Sequence, residues 1–122
     1  MPVTDLNQLS ATFAAAFNAG DAGALLDLYE SDATLVAQPG KTAVGHEDIR
    51  AAIEAFLALQ FKIEIETKSV LTGGIDLALV RSSWRLKSGE SVTMSGESIE
   101  VLRRDDTGAW RYAIDNPFGD AT

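Results

Sequence analysis

Two carboxylates in the last third of the chain are the residues best suited to acid/base chemistry. Asp115 closes a stretch that holds a Trp, a Tyr and an Ile, and Glu100 stands between an Ile and a Val. A carboxyl enclosed by apolar side chains has a raised pKa and can exchange protons near neutral pH. We therefore predict Asp115 first, and Glu100 second, as the general acid or base.

A structural role is the alternative for both residues. Strict alternation along the last strand puts Asp115 beside Arg111, on the face opposite Trp110, where it would form an ion pair or be solvated. The sequence leaves the two alternatives for Asp115 equally open. Glu100 carries the same ambiguity.

The single histidine is a weaker candidate. His46 stands beside Glu47 and Asp48 at the start of a predicted helix, which is typical of a surface or capping residue. With one His and no Cys, a transition-metal site lacks ligands, and no Gly-x-Ser-x-Gly motif accompanies the histidine. We predict no metal and no cofactor.

Charge and composition narrow the class of protein. The net charge of −8 disfavours binding to nucleic acid and to anionic membranes, which require clustered Lys and Arg. The 122 residues fit one domain, 1–122, without a linker. The first residues resemble no signal peptide, so the cytoplasm is the expected location.

The elements that must position these residues begin with helices in the first half of the chain. Gly20 can end one helix in the left-handed conformation, and Asp21 can cap the next. The first helix is predicted to begin after Thr4 and to bury Phe13 and Phe17 on one face. A third helix follows at 46–57, with acidic residues in its first turn and an apolar stripe that includes Ile53.

The second half of the chain reads as sheet. From residue 61 the apolar residues recur every second position, as a half-buried strand requires. Turns at 72–74, 87–90 and 105–108 separate the predicted strands, and a short strand is also predicted earlier; the five ranges are 33–37, 61–68, 77–86, 91–103 and 109–115. Helices followed by an antiparallel meander predict an α+β fold in which the sheet curls over the helices.

One strand shows a change of parity. Its apolar residues are even-numbered at Val92 and Met94 and odd-numbered at Ile99 and Val101. One extra residue would explain the change, so we predict a β-bulge at Gly96.

Four stretches in this order resemble the nuclear transport factor 2-like superfamily, in its SnoaL-like and ketosteroid-isomerase-like branch. The matching stretches are 17–21 (FNAGD), 28–34 (LYESDAT), 45–50 (GHEDIR) and 108–112 (GAWRY). The resemblance implies a cystatin-like, cone-shaped barrel with three helices on a strongly curved antiparallel sheet. It also implies an apolar pocket between sheet and helices, and usually a dimer.

The resemblance also argues against steroid isomerisation by the family mechanism. That mechanism uses a Tyr, an Asp base and a protonated Asp. The matching positions here are Phe13, then Val36 or Ala37, and the neighbourhood of Glu100. Only Glu100 could substitute, so two of the three roles are vacant.

The resemblance implies which other residues surround the pocket. Asp115 ends the strand beside it, and Trp84 would supply a flat wall for a ring-shaped ligand, with core or dimer packing as its alternative. The predicted pocket-lining residues are Phe13, Phe17, Tyr29, Ile53, Trp84 and Asn116. We expect binding of a small apolar or ring-containing molecule, with isomerase, cyclase or dehydratase chemistry as a possibility. A non-catalytic association domain, like those of some calcium/calmodulin-dependent kinases, is the alternative.

A homodimer through the sheet is the last expectation. Leu77 and Leu79 alternate with Ala78 and Val80, so both faces of this strand carry apolar residues. The helices can cover only one face, and monomers rarely expose large apolar patches. We therefore expect a second copy to cover the other face.

Overall fold

The computed structural model describes residues 2–119, in which three α-helices pack against one six-stranded sheet. A 3-10 turn, Leu6–Gln8, precedes the first helix. The elements are α1 (Leu9–Asn18), α2 (Ala22–Leu26), β1 (Tyr29–Gln38), β2 (Lys41–Val44), α3 (Gly45–Leu57), β3 (Lys62–Gly73), β4 (Leu77–Ser88), β5 (Ser91–Arg104) and β6 (Trp110–Asn116). The expected α+β class is confirmed. No helix in the described part of the chain is long and apolar enough to cross a membrane.

The strand order of the sheet is β2-β1-β6-β5-β4-β3. Strands β3 to β6 form the expected antiparallel meander. The pair β1 and β6 is parallel, which the sequence did not predict. The two strands are far apart in the sequence, since β2, α3 and strands β3 to β5 lie between them, and local patterns do not indicate how such distant strands pair.

The corner between α1 and α2 forms as expected. Gly20 has φ +68°, and the Asp21 carboxylate accepts the backbone N–H of Ala24 at 3.0 Å. The prediction that Thr4 caps the first helix is wrong. Asp5 accepts the N–H of Asn7 and caps the 3-10 turn that precedes α1.

The Asn18 side chain fixes the end of α1 on strand β3. Its Oδ1 accepts the N–H of Ile63 at 2.7 Å, and its Nδ2 donates to the Ile63 carbonyl at 3.1 Å. The amide thereby satisfies the backbone groups of Ile63, which face no neighbouring strand at this edge of the sheet, and it holds α1 over the inner face of the sheet.

The bulge predicted at Gly96 exists, but its predicted position is wrong. Gly96 pairs with β4 in regular register, and the extra residue of this pair of strands is Thr93. Because of the extra residue, Val92 lies on the same outer face of the sheet, away from the helices, as the half-buried Ile99 and Val101. The parity change therefore reports a real bulge, three residues before the glycine.

A glycine is required at position 96 because the Trp84 ring packs against its backbone. A Cβ at this position would lie 2.8 Å from Cζ2 of Trp84 and 3.0 Å from its Cε2. The indole therefore lies directly on the glycine, where any side chain would collide with it.

A bulge in β6 decides the orientation of Asp115. Tyr112 pairs with Leu102 and Ile114 with Val101, so Ala113 is an extra residue. The alternation shifts by one position there, and both Tyr112 and Asp115 are buried on the inner face. The alternative that placed Asp115 on the face opposite the aromatic residues is therefore wrong.

Candidate functional site

A cavity of about 110 Å³ lies between the inner face of the sheet and the helices. Its walls are mainly apolar, and its polar groups are few. The apolar lining residues are Leu9, Phe13, Phe17, Leu25, Leu35, Ile53, Phe56, Ile63, Ile65, Trp84, Leu86, Met94, Pro117 and Phe118, and the polar ones are Ser10, Tyr29, Ser82, Ser98, Glu100, Tyr112 and Asp115.

Glu100 and Asp115 stand side by side on the cavity surface. They are directly opposite each other in the pairing of β5 with β6, and each is only 6% exposed. Burial raises the pKa of Glu100 to about 8, and the negative charge of Asp115 contributes to the rise. Burial also raises the pKa of Asp115, to about 6. At neutral pH, therefore, one carboxyl is ionised and the other holds a proton.

Tyr29 favours the ionised state of Asp115. Its hydroxyl donates to Oδ2 of Asp115 at 2.5 Å, and this hydrogen bond opposes the effect of burial on the pKa of the carboxyl. Burial and the nearby carboxylate raise the pKa of the Tyr29 phenol well above its usual value, so the phenol remains a donor. His46 Nε2 donates to the backbone carbonyl of Tyr29 at 2.8 Å, so the half-buried imidazole joins the start of α3 to β1 instead of capping the helix.

Two buried serines complete the polar part of the cavity. The Ser82 hydroxyl donates to Oε1 of Glu100 across a long 3.5 Å, and Ser98 donates to the Ser82 carbonyl at 3.3 Å. Neither serine was predicted to line the pocket. A signal existed for Ser82, because it interrupts the inward-facing apolar series that runs through Val80 and Trp84.

Aromatic rings form much of the wall. Nε1 of Trp84 donates to the Pro117 carbonyl at 2.7 Å, and the Phe118 ring meets the indole edge-on at 6.3 Å between centroids. The rings of Tyr29 and Tyr112 lie 4.9 Å apart, and Phe13 meets Tyr112 edge-on at 6.2 Å. This packing holds the rings around the two carboxyls.

Most of the predicted site residues face the cavity. Phe13, Phe17, Tyr29, Ile53 and Trp84 line it together with Asp115 and Glu100. Their roles in binding or catalysis stay predictions.

Asn116 does not line the cavity, contrary to expectation. Its Nδ2 donates to the Gly119 carbonyl at 2.9 Å, and its Oδ1 accepts the N–H of Phe118 at 3.2 Å. The amide is thus used within the turn that follows β6. Within residues 2–119, no three His, Cys, Asp or Glu side chains are grouped as a metal site would require.

The family model of the SnoaL-like domain matches residues 10–113. The chain belongs to the SnoaL-like family, within the nuclear transport factor 2-like superfamily. No protein of curated function matches it at a significant level.

Solved structures agree with this fold. A nuclear transport factor 2-like protein of unknown function from Shewanella oneidensis has a TM-score of 0.79 and 22% identity, covering 94% of this chain and 97% of its own. A ketosteroid isomerase-like protein from Erwinia carotovora has a TM-score of 0.71 and 28% identity, covering 90% and 89%. A candidate association domain of calcium/calmodulin-dependent protein kinase type II from Thiobacillus denitrificans has a TM-score of 0.77 and 14% identity, covering 91% of each chain.

Proposed function

We propose that this SnoaL-like protein binds a small, mainly apolar molecule in its cavity and exchanges a proton with it through Asp115 and Glu100. One observation carries the proposal: two buried carboxyls lie side by side on the surface of an apolar cavity. Burial raises the pKa of both carboxyls, to about 6 for Asp115 and about 8 for Glu100. At pH 7, Asp115 is the base and Glu100 the acid. Environments that separate two carboxyls in this way are typical of acid/base pairs in enzymes.

The cavity favours a ligand with a single ring. Its volume of about 110 Å³ is close to the roughly 150 Å³ of an apolar protein cavity that accepts benzene. A four-ring steroid is several times larger, and Phe13 offers no hydroxyl where the steroid isomerases have a Tyr. We therefore propose isomerisation, cyclisation or dehydration of a one-ring molecule rather than of a steroid.

Deuterium exchange tests the proposal without knowledge of the natural substrate. The protein is incubated in D2O with single-ring carbon acids, such as cyclohexanone, 2-cyclohexenone and acetophenone, and exchange at carbon is followed by proton NMR. We expect catalysed exchange that falls about 10²-fold in Asp115→Asn, the usual size of a general-base effect. The same change at the exposed Asp106 is the matched control. Exchange at the rate of buffer with every compound, or full exchange in Asp115→Asn, would contradict proton transfer by this residue.

A second candidate function, association, is favoured by the outer face of the sheet. One apolar residue from each of four neighbouring strands forms a row across it: Leu71, Leu79, Val101 and Ile114. Leu71 is 66% exposed, Leu79 38% and Ile114 46%. An exposed apolar row favours contact with a second copy, so we propose a homodimer through this face. Such a dimer is compatible with a working cavity, since the row lies on the other side of the sheet.

The remaining proposals rest on sequence alone. We propose that residues 1–122 act as one domain, without a cofactor or nucleic-acid partner, in the cytoplasm.

A further inference from the structure

The two cavity carboxyls have no positive counter-charge. Among residues 2–119, none of the ion pairs includes Asp115 or Glu100. The side chains that hydrogen-bond the two carboxyls carry hydroxyl groups: Tyr29, Ser82 and Ser98. Carboxyls buried in proteins are ordinarily paired with a cation or kept neutral. This pair carries a negative charge at neutral pH and has no cation beside it.

The elements around the cavity offer no cation either. The three helices contribute apolar side chains and the hydroxyl of Ser10, and the other titratable groups that face the two carboxyls are the phenols of Tyr29 and Tyr112. Burial raises the pKa of both phenols well above the usual value, so they remain neutral. Within the described residues, no Lys, Arg or His lines the cavity.

The aromatic wall suits a cation as well as an apolar body. The faces of Tyr and Trp rings attract cations, and the attraction grows when the site excludes water. Tyr29 and Tyr112 stand next to the carboxyls, while Phe13 and Trp84 line the apolar remainder. A molecule with one charged end and one ring would therefore find a partner for each part.

We propose that the ligand of this cavity is a one-ring molecule with a protonated amino group, whose ammonium pairs with Asp115 and Glu100. The inference rests on the proposed function and names its substrate class. When the ammonium pairs with one carboxylate, the second carboxylate remains available as the base of the proposed proton transfer.

A proton balance accompanies this binding. A cation stabilises the ionised forms of both carboxyls, so its entry lowers their pKa values and displaces the proton that Glu100 holds. At pH 7, where the free pair holds about one proton, binding of an ammonium releases up to one proton to the buffer. A neutral ligand that accepts a hydrogen bond from the protonated carboxyl would instead keep this proton in place.

The test compares benzylamine with benzyl alcohol, which have nearly the same shape and differ in charge. Isothermal titration calorimetry at pH 7 gives both affinities, and repetition in phosphate and in Tris, whose ionisation enthalpies differ, gives the protons released. We expect benzylamine to bind at least about tenfold more tightly, as a charge-assisted hydrogen bond in a buried site implies. Proton release is expected with the amine and not with the alcohol.

Variants assign the preference to the two carboxyls. Asp115→Asn and Glu100→Gln should each reduce the preference for the amine while binding of the alcohol persists, and Asp106→Asn should change neither. If a cavity variant fails to fold, the proton release of the unaltered protein decides the question.

The outcomes separate this inference from the proposed function. Equal affinity for the two probes, or amine binding without proton release, would overturn the amine inference and leave a cavity that binds apolar rings. Binding of neither probe at millimolar concentration would overturn both.

Discussion

Replacing Gly96 by Ala tests the close approach of Trp84 to the strand beside it. The new Cβ would lie 2.8 Å from the indole, so the ring must withdraw by about 0.7 Å to reach an ordinary carbon–carbon distance. The ring cannot withdraw freely, because Nε1 donates to the Pro117 carbonyl at 2.7 Å and Phe118 packs against its edge. Loss of that hydrogen bond costs about 1 kcal/mol, and the strain of overpacking adds about 1–3 kcal/mol.

We expect Gly96→Ala to lower the free energy of unfolding by at least about 2 kcal/mol, and the melting temperature by at least about 5–10 °C. Gly23→Ala is the matched control, since its Cβ would meet only the Asp21 carboxylate at an ordinary 3.6 Å. That change within α2 should be neutral or stabilising by up to about 1 kcal/mol.

Urea unfolding followed by circular dichroism measures both variants, and Trp84→Phe should absorb much of the cost of Gly96→Ala in a double-mutant cycle. Equal stabilities for Gly96→Ala and Gly23→Ala would refute the close-contact argument.

Three further predictions concern the carboxyls and the outer face. The folded protein keeps protons on Glu100 and Asp115 up to about pH 8 and pH 6. Unfolded carboxyls lose theirs near pH 4, so stability should fall by a few kcal/mol as pH rises from 4.5 to 8, measured by urea unfolding. Glu100→Gln should remove most of this slope, and a slope unchanged in that variant would contradict the burial argument. Tyr29→Phe removes the hydrogen bond that favours ionised Asp115, so the pKa of that carboxyl should rise; an unchanged value in an NMR titration would show that the bond is absent in solution. Sedimentation equilibrium should give twice 13.0 kDa for the unaltered chain and 13.0 kDa for Leu79→Asp. Leu59→Asp is the control and should stay dimeric, because Leu59 is an exposed leucine outside the sheet; a monomeric unaltered chain would exclude the dimer.

Local signals in the sequence predicted much of the fold. Gly20 and Asp21 are a helix stop and a helix cap whose chemistry depends on a few neighbouring atoms, so the corner between α1 and α2 could be derived without tertiary information. Buried and exposed residues alternate along much of β4 because one face of the strand is buried, so this strand could also be predicted from its own residues. The family resemblance added the cavity, which no local pattern contains.

The orientation of the candidate catalytic residue could not be predicted in the same way. Asp115 faces the cavity because Ala113 is an extra residue in β6, and nothing in the type of Ala113 indicates a bulge. In β5 the parity change revealed a bulge but not its position, which is Thr93 and not Gly96. Parity along one strand shows neither which residue is the extra one nor which face the neighbouring elements cover.

The most direct test of the account is a titration of the carboxyl groups themselves. Carbon-13 NMR of the side-chain carboxyls between pH 3 and 9 would give each pKa, with Asp115→Asn and Glu100→Gln assigning the two resonances. We predict that these two carboxyls titrate as a coupled pair, at about pH 6 and about pH 8. If both titrate below pH 5 instead, they are solvated carboxylates, and neither serves as the acid or base of a buried site.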